Sequence, residues 1–203
     1  MSSQKQIYLI DDDQSIRDSI TLVLSESGYQ VFPFADAKLF LSEFKQSADP
    51  EVILLDMKMP VMSGLELQAQ ILNLGIKVPI IFISAHSHRE EIIRVFKSGA
   101  SDFLVKPFTI EKLIFSVEQA LSRDSEYKLI KNKYELLTPR EKEVFELLAN
   151  GELLKTIANK WEVSESVLKI HKKHIMQKLA INSLQELGKV DLLLASSDFK
   201  KSL

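Results

Sequence analysis

Five short apolar runs separated by longer amphipathic stretches restrict the fold of this chain more than any other feature. The runs are Gln6 to Ile10, Gln30 to Phe34, Val52 to Leu55, Val78 to Ile83 and Asp102 to Val105. Several are apolar throughout, as strands covered on both faces should be. Helix-like stretches lie near 15–27, 37–45, 64–74 and 89–98, with another from Ile110 onward. Strands alternating with helices in this way predict an α/β fold, a doubly wound (βα)5 parallel sheet. In such a sheet the residues at the carboxyl ends of the strands converge on one edge, where ligands bind.

The remainder reads differently. After Lys106-Pro107 the apolar positions Leu113, Val117, Ala120, Tyr127, Ile130, Tyr134 and Leu137 keep a broken helical spacing, with no Gly or Pro until Pro139. A helix through the junction is expected. It serves either as a short coiled coil between two subunits, with Asp124 and Lys131 interrupting the seam, or as a solvated connector. Beyond it the pattern predicts an all-α unit of about four helices. Thr138-Pro139-Arg140-Glu141 is a helix start with N-cap, first-turn proline and capping-box glutamate, and Asn150-Gly151 is the matching stop. Further helices are expected around Lys155 to Trp161, after Ser164 and after Ser183. The expected organisation is a domain over 1–121, a helical linker over 122–137 and a second domain over 138–203.

Charge supports the division. The whole chain carries a net charge of −2, which identifies no partner. Residues 1–120 hold 11 basic and 16 acidic side chains, whereas 138–203 hold 11 and 9, so the first region is acidic and the second basic. There is no cysteine, which excludes disulfides, thiolate metal sites and Cys nucleophiles. The opening apolar run is too short for a secretory signal, and no stretch approaches the roughly 20 apolar residues of a membrane helix. A cytoplasmic location without membrane contact is expected.

The predicted strand ends carry the chemistry. Asp11, Asp12 and Asp13 follow the first strand, Asp56 ends the third, Ser84 the fourth and Lys106 the fifth. Carboxylates crowded at one edge repel each other, and a hard divalent cation with oxygen ligands relieves the repulsion, which makes magnesium the natural candidate. The set suits phosphoryl transfer onto a carboxylate: Asp56 as nucleophile, the metal and Lys106 neutralising phosphoryl charge, Ser84 donating a hydrogen bond. The alternative for Asp11 to Asp13 alone is a helix cap. A haloacid-dehalogenase-type phosphatase would need a second acid where Lys58 stands, and no GxxxxGK[ST] loop is present. His86 and His88 lack the further ligands of a zinc site.

IDDD at 10–13, LLDMKMPVMSG at 54–64, ISA at 83–85 and DFLVKPF at 102–108 resemble the receiver domain of two-component response regulators, over roughly residues 5–121. The resemblance implies that Asp56 accepts phosphate from a histidine kinase. It implies that Asp12, Asp56 and the backbone carbonyl of Lys58 bind magnesium with Asp11 assisting. It further implies that Ser84 and Phe103 form a switch pair, and that Lys106 contacts the phosphoryl group beside a cis Lys106-Pro107 bond.

In the second region, helical geometry from Glu165 to Leu179 places Leu168, Ile175 and Leu179 on one inward stripe. Lys169, Ile170, Lys173, His174 and Gln177 point the other way, with His171, Lys172 and Lys178 on the flanks. A basic outward face with one apolar group and one amide suits a DNA major groove, and a merely solvated face is the alternative. LTPREKEVFELLANG followed by IANKWEVSESVLKIHKKHIMQKLAINSLQEL resembles the LuxR-type helix-turn-helix, from about Leu137 to Leu194. Together the two resemblances point to the NarL/FixJ response regulators. They imply that Lys169, Ile170 and Lys173 read bases, that Lys155, His171, Lys172 and Lys178 position the DNA backbone, and that Val190, Leu193 and Leu194 pair two DNA-binding domains. Val167, Leu153, Leu154 and Leu184 depart from the family's usual polar residues.

The function expected is that of a transcription regulator, not an enzyme. Phosphate on Asp56 promotes homodimerisation and binding of double-stranded operator DNA, with RNA polymerase as a further partner. The rival reading is a switch for a protein-binding helical module, with Leu153 and Leu154 as the contact. A second rival is a phosphate sink or constitutive regulator.

Overall fold

A computed structural model of the chain describes residues 4–44, 50–85 and 88–198. It divides into two compact units, Met1–Asp124 and Ser125–Leu203. The first holds β1 (Gln6–Ile10), α1 (Gln14–Glu26), β2 (Gln30–Phe34), α2 (Ala37–Phe44) and β3 (Val52–Asp56), followed by α3 (Gly64–Asn73), β4 (Ile80–Ser84), α4 (Arg89–Lys97) and β5 (Asp102–Val105). Helix α5 (Ile110–Glu135) runs through the point of division. The strands form one parallel sheet in the order β2-β1-β3-β4-β5, the expected doubly wound arrangement. Lys45 and His86 lie outside the described residues.

Because successive side chains of a strand point to opposite faces, the apolar runs feed two cores. Tyr8, Ile10, Ile53, Leu55, Ile80, Phe82 and Phe103 face one side, where α2, α3 and α4 contribute Phe40, Leu67, Ile71 and Val95. Ile7, Leu9, Val52, Leu54, Ile81, Ile83 and Leu104 face the other, closed by Ile20 and Leu24 of α1 and by Leu113, Val117 and Leu121 of α5. This is why β1, β3 and β4 show no polar alternation. Strand β4 begins at Ile80, later than the apolar run, since Pro79 has no N–H to give the ladder. Pro33 sits in edge strand β2, where a missing donor is tolerated.

The second unit continues with α6 (Pro139–Ala149), α7 (Leu154–Trp161), α8 (Glu165–Leu179) and α9 (Leu184–Asp198). Thr138 and Glu141 form the reciprocal capping box. The core contains Leu137, Val144, Phe145, Ile157, Leu168, Ile175, Leu179, Leu187 and Val190, with Ile130 and Tyr134 of α5 packed against it. Two linker positions that could have formed an intersubunit seam are thus used by this unit's own core. Val190 is likewise inward, 5% exposed, while Leu192 is 70% exposed. At about 100° per residue the two point to opposite sides of α9, so the expected pairing face containing Val190 is corrected: that residue belongs to the core. Among the described residues no helix is long and apolar enough to cross a membrane.

Candidate functional site

The carboxyl ends of β1, β3, β4 and β5 bring Asp11, Asp56, Ser84 and Lys106 to one edge of the sheet. Asp11 is 1% exposed and Asp56 6%, so both carboxylates are withdrawn from water. Lys106 lies between them: its Nζ donates to Asp11 Oδ2 at 2.7 Å and to Asp56 Oδ1 at 2.8 Å. The remaining oxygens are engaged by backbone. Asp11 Oδ1 accepts from Asp13 N at 2.9 Å, and Asp56 Oδ2 from Lys58 N at 2.7 Å. Ser84 is buried, and its carbonyl accepts from Lys106 N at 2.8 Å. The Lys106-Pro107 bond is cis. Phe103 is buried opposite Phe82 in the β4–β5 register.

Burial pushes the Asp56 carboxyl up, against the hydrogen bonds from Lys106 and Lys58, and the neighbouring Asp11 charge adds to the rise. Burial alone would lower the Lys106 ammonium, but its hydrogen bonds to Asp11 and Asp56 outweigh it and the group is raised. Lys106 is therefore a fixed cation, and two carboxylates against one ammonium leave the cluster negative.

The three adjacent aspartates divide by role. Asp13 caps α1, accepting from Ser15 N at 2.8 Å and Ile16 N at 3.3 Å. Asp12 is exposed on the loop. The donors expected for magnesium, carboxylates at 11, 12 and 56 with the carbonyl of Lys58, are all hard oxygens around residual negative charge, which fits the ion's chemistry. Among the described residues no three acidic or histidine side chains are gathered as a metal cage. A carbonyl and water would have to complete the shell, as is usual for magnesium.

Two neighbours were not legible as site residues. Arg17 Nη1 donates to the Asp11 carbonyl at 2.7 Å, bracing the end of β1. Gly64 opens α3 so close beneath β3 that an added Cβ would strike the Asp56 carbonyl, with Phe82 Cε1 at 3.0 Å and Met57 Cα at 3.2 Å. A glycine opening a helix just after the acidic strand was the available signal.

In the second unit, Leu168, Ile175 and Leu179 are buried, while Lys169, Ile170, Lys173, His174 and Gln177 are exposed and His171, Lys172 and Lys178 half-buried. Lys155 is exposed at the start of α7, whose N-cap Leu153 offers no side-chain hydrogen bond. Arg140 stacks 3.5 Å from the ring centre of Trp161, joining α6 to α7. Lys178 differs from the other flank cations, because its Nζ donates to Glu141 Oε2 at 2.6 Å. Burial would raise Glu141, but the hydrogen bonds from Lys178 and Thr138 hold it down to about 2.

Comparison with known proteins finds a family for each part of the chain. The response regulator receiver domain family matches residues 7–118, and the luxR family of bacterial regulatory proteins matches residues 135–190. The chain is similar to the response regulator protein TodT of Pseudomonas putida strain F1, 35% identical over 191 residues, covering 91% of this chain and 84% of that one. It is 31% identical over 194 residues to the transcriptional regulatory protein FixJ of Bradyrhizobium diazoefficiens, covering 92% and 94%. The crystal structure of full-length FixJ from B. japonicum superposes with a TM-score of 0.57 at 29% identity, covering 96% and 98%.

Proposed function

Since the chain belongs to the NarL/FixJ response regulators, phosphorylation-controlled transcription regulators that join a receiver to a LuxR-type DNA-binding domain, we propose that Asp56 is its phosphoacceptor and α8 its DNA-reading helix. The observation that carries the reading is the Lys106 ammonium held by both Asp11 and Asp56. In the reaction one Asp56 carboxylate oxygen attacks phosphorus while the bond to the donor's imidazole nitrogen breaks, giving an acyl phosphate and a neutral histidine on the kinase. Lys106 balances charge on the phosphoryl oxygens, and the Ser84 hydroxyl donates to one of them. Asp12, Asp56 and the Lys58 carbonyl, with Asp11 assisting, would hold a magnesium ion, which when bound would supply the remaining charge neutralisation. Ser84 and Phe103 then carry the change toward α4 and β5.

On the DNA side, the exposed Lys169, Ile170 and Lys173 would read base edges with their mixed chemistry, and Lys155, His171 and Lys172 would meet phosphates. Phosphorylation promotes homodimerisation, which brings two α8 helices to a two-fold related operator, and RNA polymerase is the downstream partner. The role is regulatory and not enzymatic.

Incubation with acetyl phosphate and magnesium, followed by intact-mass measurement, tests the acceptor. Wild type should gain one phosphoryl group and Asp56→Asn none. A phosphorylated Asp56→Asn protein would overturn the assignment. Sedimentation with and without beryllofluoride tests dimerisation; monomers of equal DNA affinity in both would discard it.

A further inference from the structure

Lys178 stands apart from the other cations of α8. Lys169 is 65% exposed at the side chain and its pairing with Glu165, 3.3 Å within the helix, is open to water. Lys178 instead meets a carboxylate whose side chain is only 4% exposed, at 2.6 Å. The same Glu141 oxygen accepts from Thr138 N at 2.7 Å, and one turn earlier on α8 the His174 Nδ1 lies 3.8 Å from the other oxygen. Glu141 is thus tied to α8 through Lys178, with the His174 ring nearby one turn earlier. A second tie holds the same end of the helix: Lys133 Nζ donates to the Leu179 carbonyl at 3.4 Å.

For Lys178 to reach a DNA phosphate, it would have to leave a buried carboxylate without its partner, and stranding one member of such a pair is strongly unfavourable. An ammonium committed in this way fixes how α8 sits on α6. Rotation or sliding of α8 would carry Lys178 off Glu141, and would move Lys169, Ile170 and Lys173 together.

We infer that Lys178 is a positioning residue for DNA recognition, acting through Glu141 to set the seat of α8, and that it makes no phosphate contact. The inference rests on α8 being the DNA-reading helix. It differs from the sequence-based expectation for this lysine, which grouped it with Lys155, His171 and Lys172.

The full-length protein tests it against two probes: a duplex pool of random sequence, and the duplex that wild type selects from that pool. Each lysine that meets a phosphate contributes about 0.9 to the slope of log affinity against log salt. Lys172→Met should lower that slope by about 0.9, whereas Lys178→Met should leave it unchanged. Lys178→Met should instead cut the preference for the selected duplex about tenfold. Glu141→Gln should give the same loss, the double variant no greater one, and Lys178→Arg should retain the preference. The sole tryptophan, Trp161, reports folding of each variant by fluorescence. Should Lys178→Met unfold, Lys178→Gln, whose amide can still hydrogen-bond Glu141, undergoes the same slope measurement.

A slope lowered by about 0.9 in the Lys178 variant would overturn the inference, because it is the mark of a phosphate contact. An unchanged preference in both single variants would overturn it too. Wild-type affinity that ignores salt would reject α8 as the DNA surface, and the inference with it.

Discussion

Lys106 and Asp56, 50 residues apart in sequence, are joined at 2.8 Å across the ends of β5 and β3, and the same ammonium holds Asp11 at 2.7 Å. Two buried carboxylates thus share one counter-charge. Lys106→Met removes it and leaves like charges facing each other in a desolvated site. Unfolding by urea should show a loss of roughly 3–5 kcal/mol, the usual penalty for removing one partner of a buried ion pair. Phosphorylation by acetyl phosphate should slow at least tenfold, since the charge-balancing cation is gone.

The residual negative charge gives a second expectation. A ligand that binds only the folded chain stabilises it by mass action, so magnesium at ten times its dissociation constant should add about 1.4 kcal/mol. Asp12→Asn should reduce that gain without disturbing the ion pairs of Lys106, because Asp12 is exposed. Lys106→Met should enlarge it, as the divalent ion then meets two uncompensated carboxylates. Thermal unfolding with and without magnesium chloride measures all three.

Gly64 is required by space. Its added Cβ would meet the Asp56 carbonyl and the Phe82 ring, atoms fixed by the sheet. Gly64→Ala should cost roughly 1–3 kcal/mol, as overpacking of a filled core does. By shifting the end of β3 it should also slow acetyl-phosphate transfer. Denaturant midpoints and intact-mass kinetics separate the two effects.

The parts legible in the sequence share a physical reason. Runs such as Ile53 to Leu55 and Ile80 to Ile83 are apolar on both faces because helices cover both faces, and the residue ending each such strand necessarily arrives at the same edge. The inward stripe Leu168, Ile175 and Leu179 was likewise fixed by helical period alone. What period cannot tell is which surface covers a stripe. Ile130 and Tyr134 have the spacing of a seam between subunits, yet pack on their own unit. Lys178 shares a helix flank with Lys172, yet a carboxylate 37 residues earlier in the chain claims it. Such long-range pairing leaves no local trace.

The end of α5 also belongs to the DNA-binding unit in an energetic sense. Tyr134 and Phe145 rings lie 5.2 Å apart at 70°, Lys142 Nζ stands 5.1 Å from the Tyr134 ring, and Ile130 packs on the same core. A fragment over 125–203 should therefore be more stable than one over 137–203, which keeps the buried Leu137, by roughly 2–4 kcal/mol, the worth of two partly buried side chains of this size. The shorter fragment also loses the tie from Lys133 to the last turn of α8. Urea titration followed by Trp161 fluorescence compares them directly.

Glu141 gives the DNA-binding unit a defined acid sensitivity. Although burial opposes its charge, hydrogen bonds from Lys178 and Thr138 hold it down to about 2, below its ordinary value of 4.5. A carboxylate depressed in the folded state contributes stability that is complete above its unfolded value and disappears as the pH falls through its folded value. The unit should accordingly lose stability progressively between about pH 4.5 and about pH 2. Glu141→Gln should be less stable at neutral pH and should flatten the dependence across that window. In Lys178→Met the Lys178 hydrogen bond and charge are removed, so the folded value rises toward 4.5, and the window of acid loss should shrink from its lower edge, with a smaller total loss. Unfolding free energies of the 125–203 fragment, measured from pH 7 down to pH 2, check each curve; a Glu141→Gln profile parallel to wild type would show that the carboxylate contributes nothing to it.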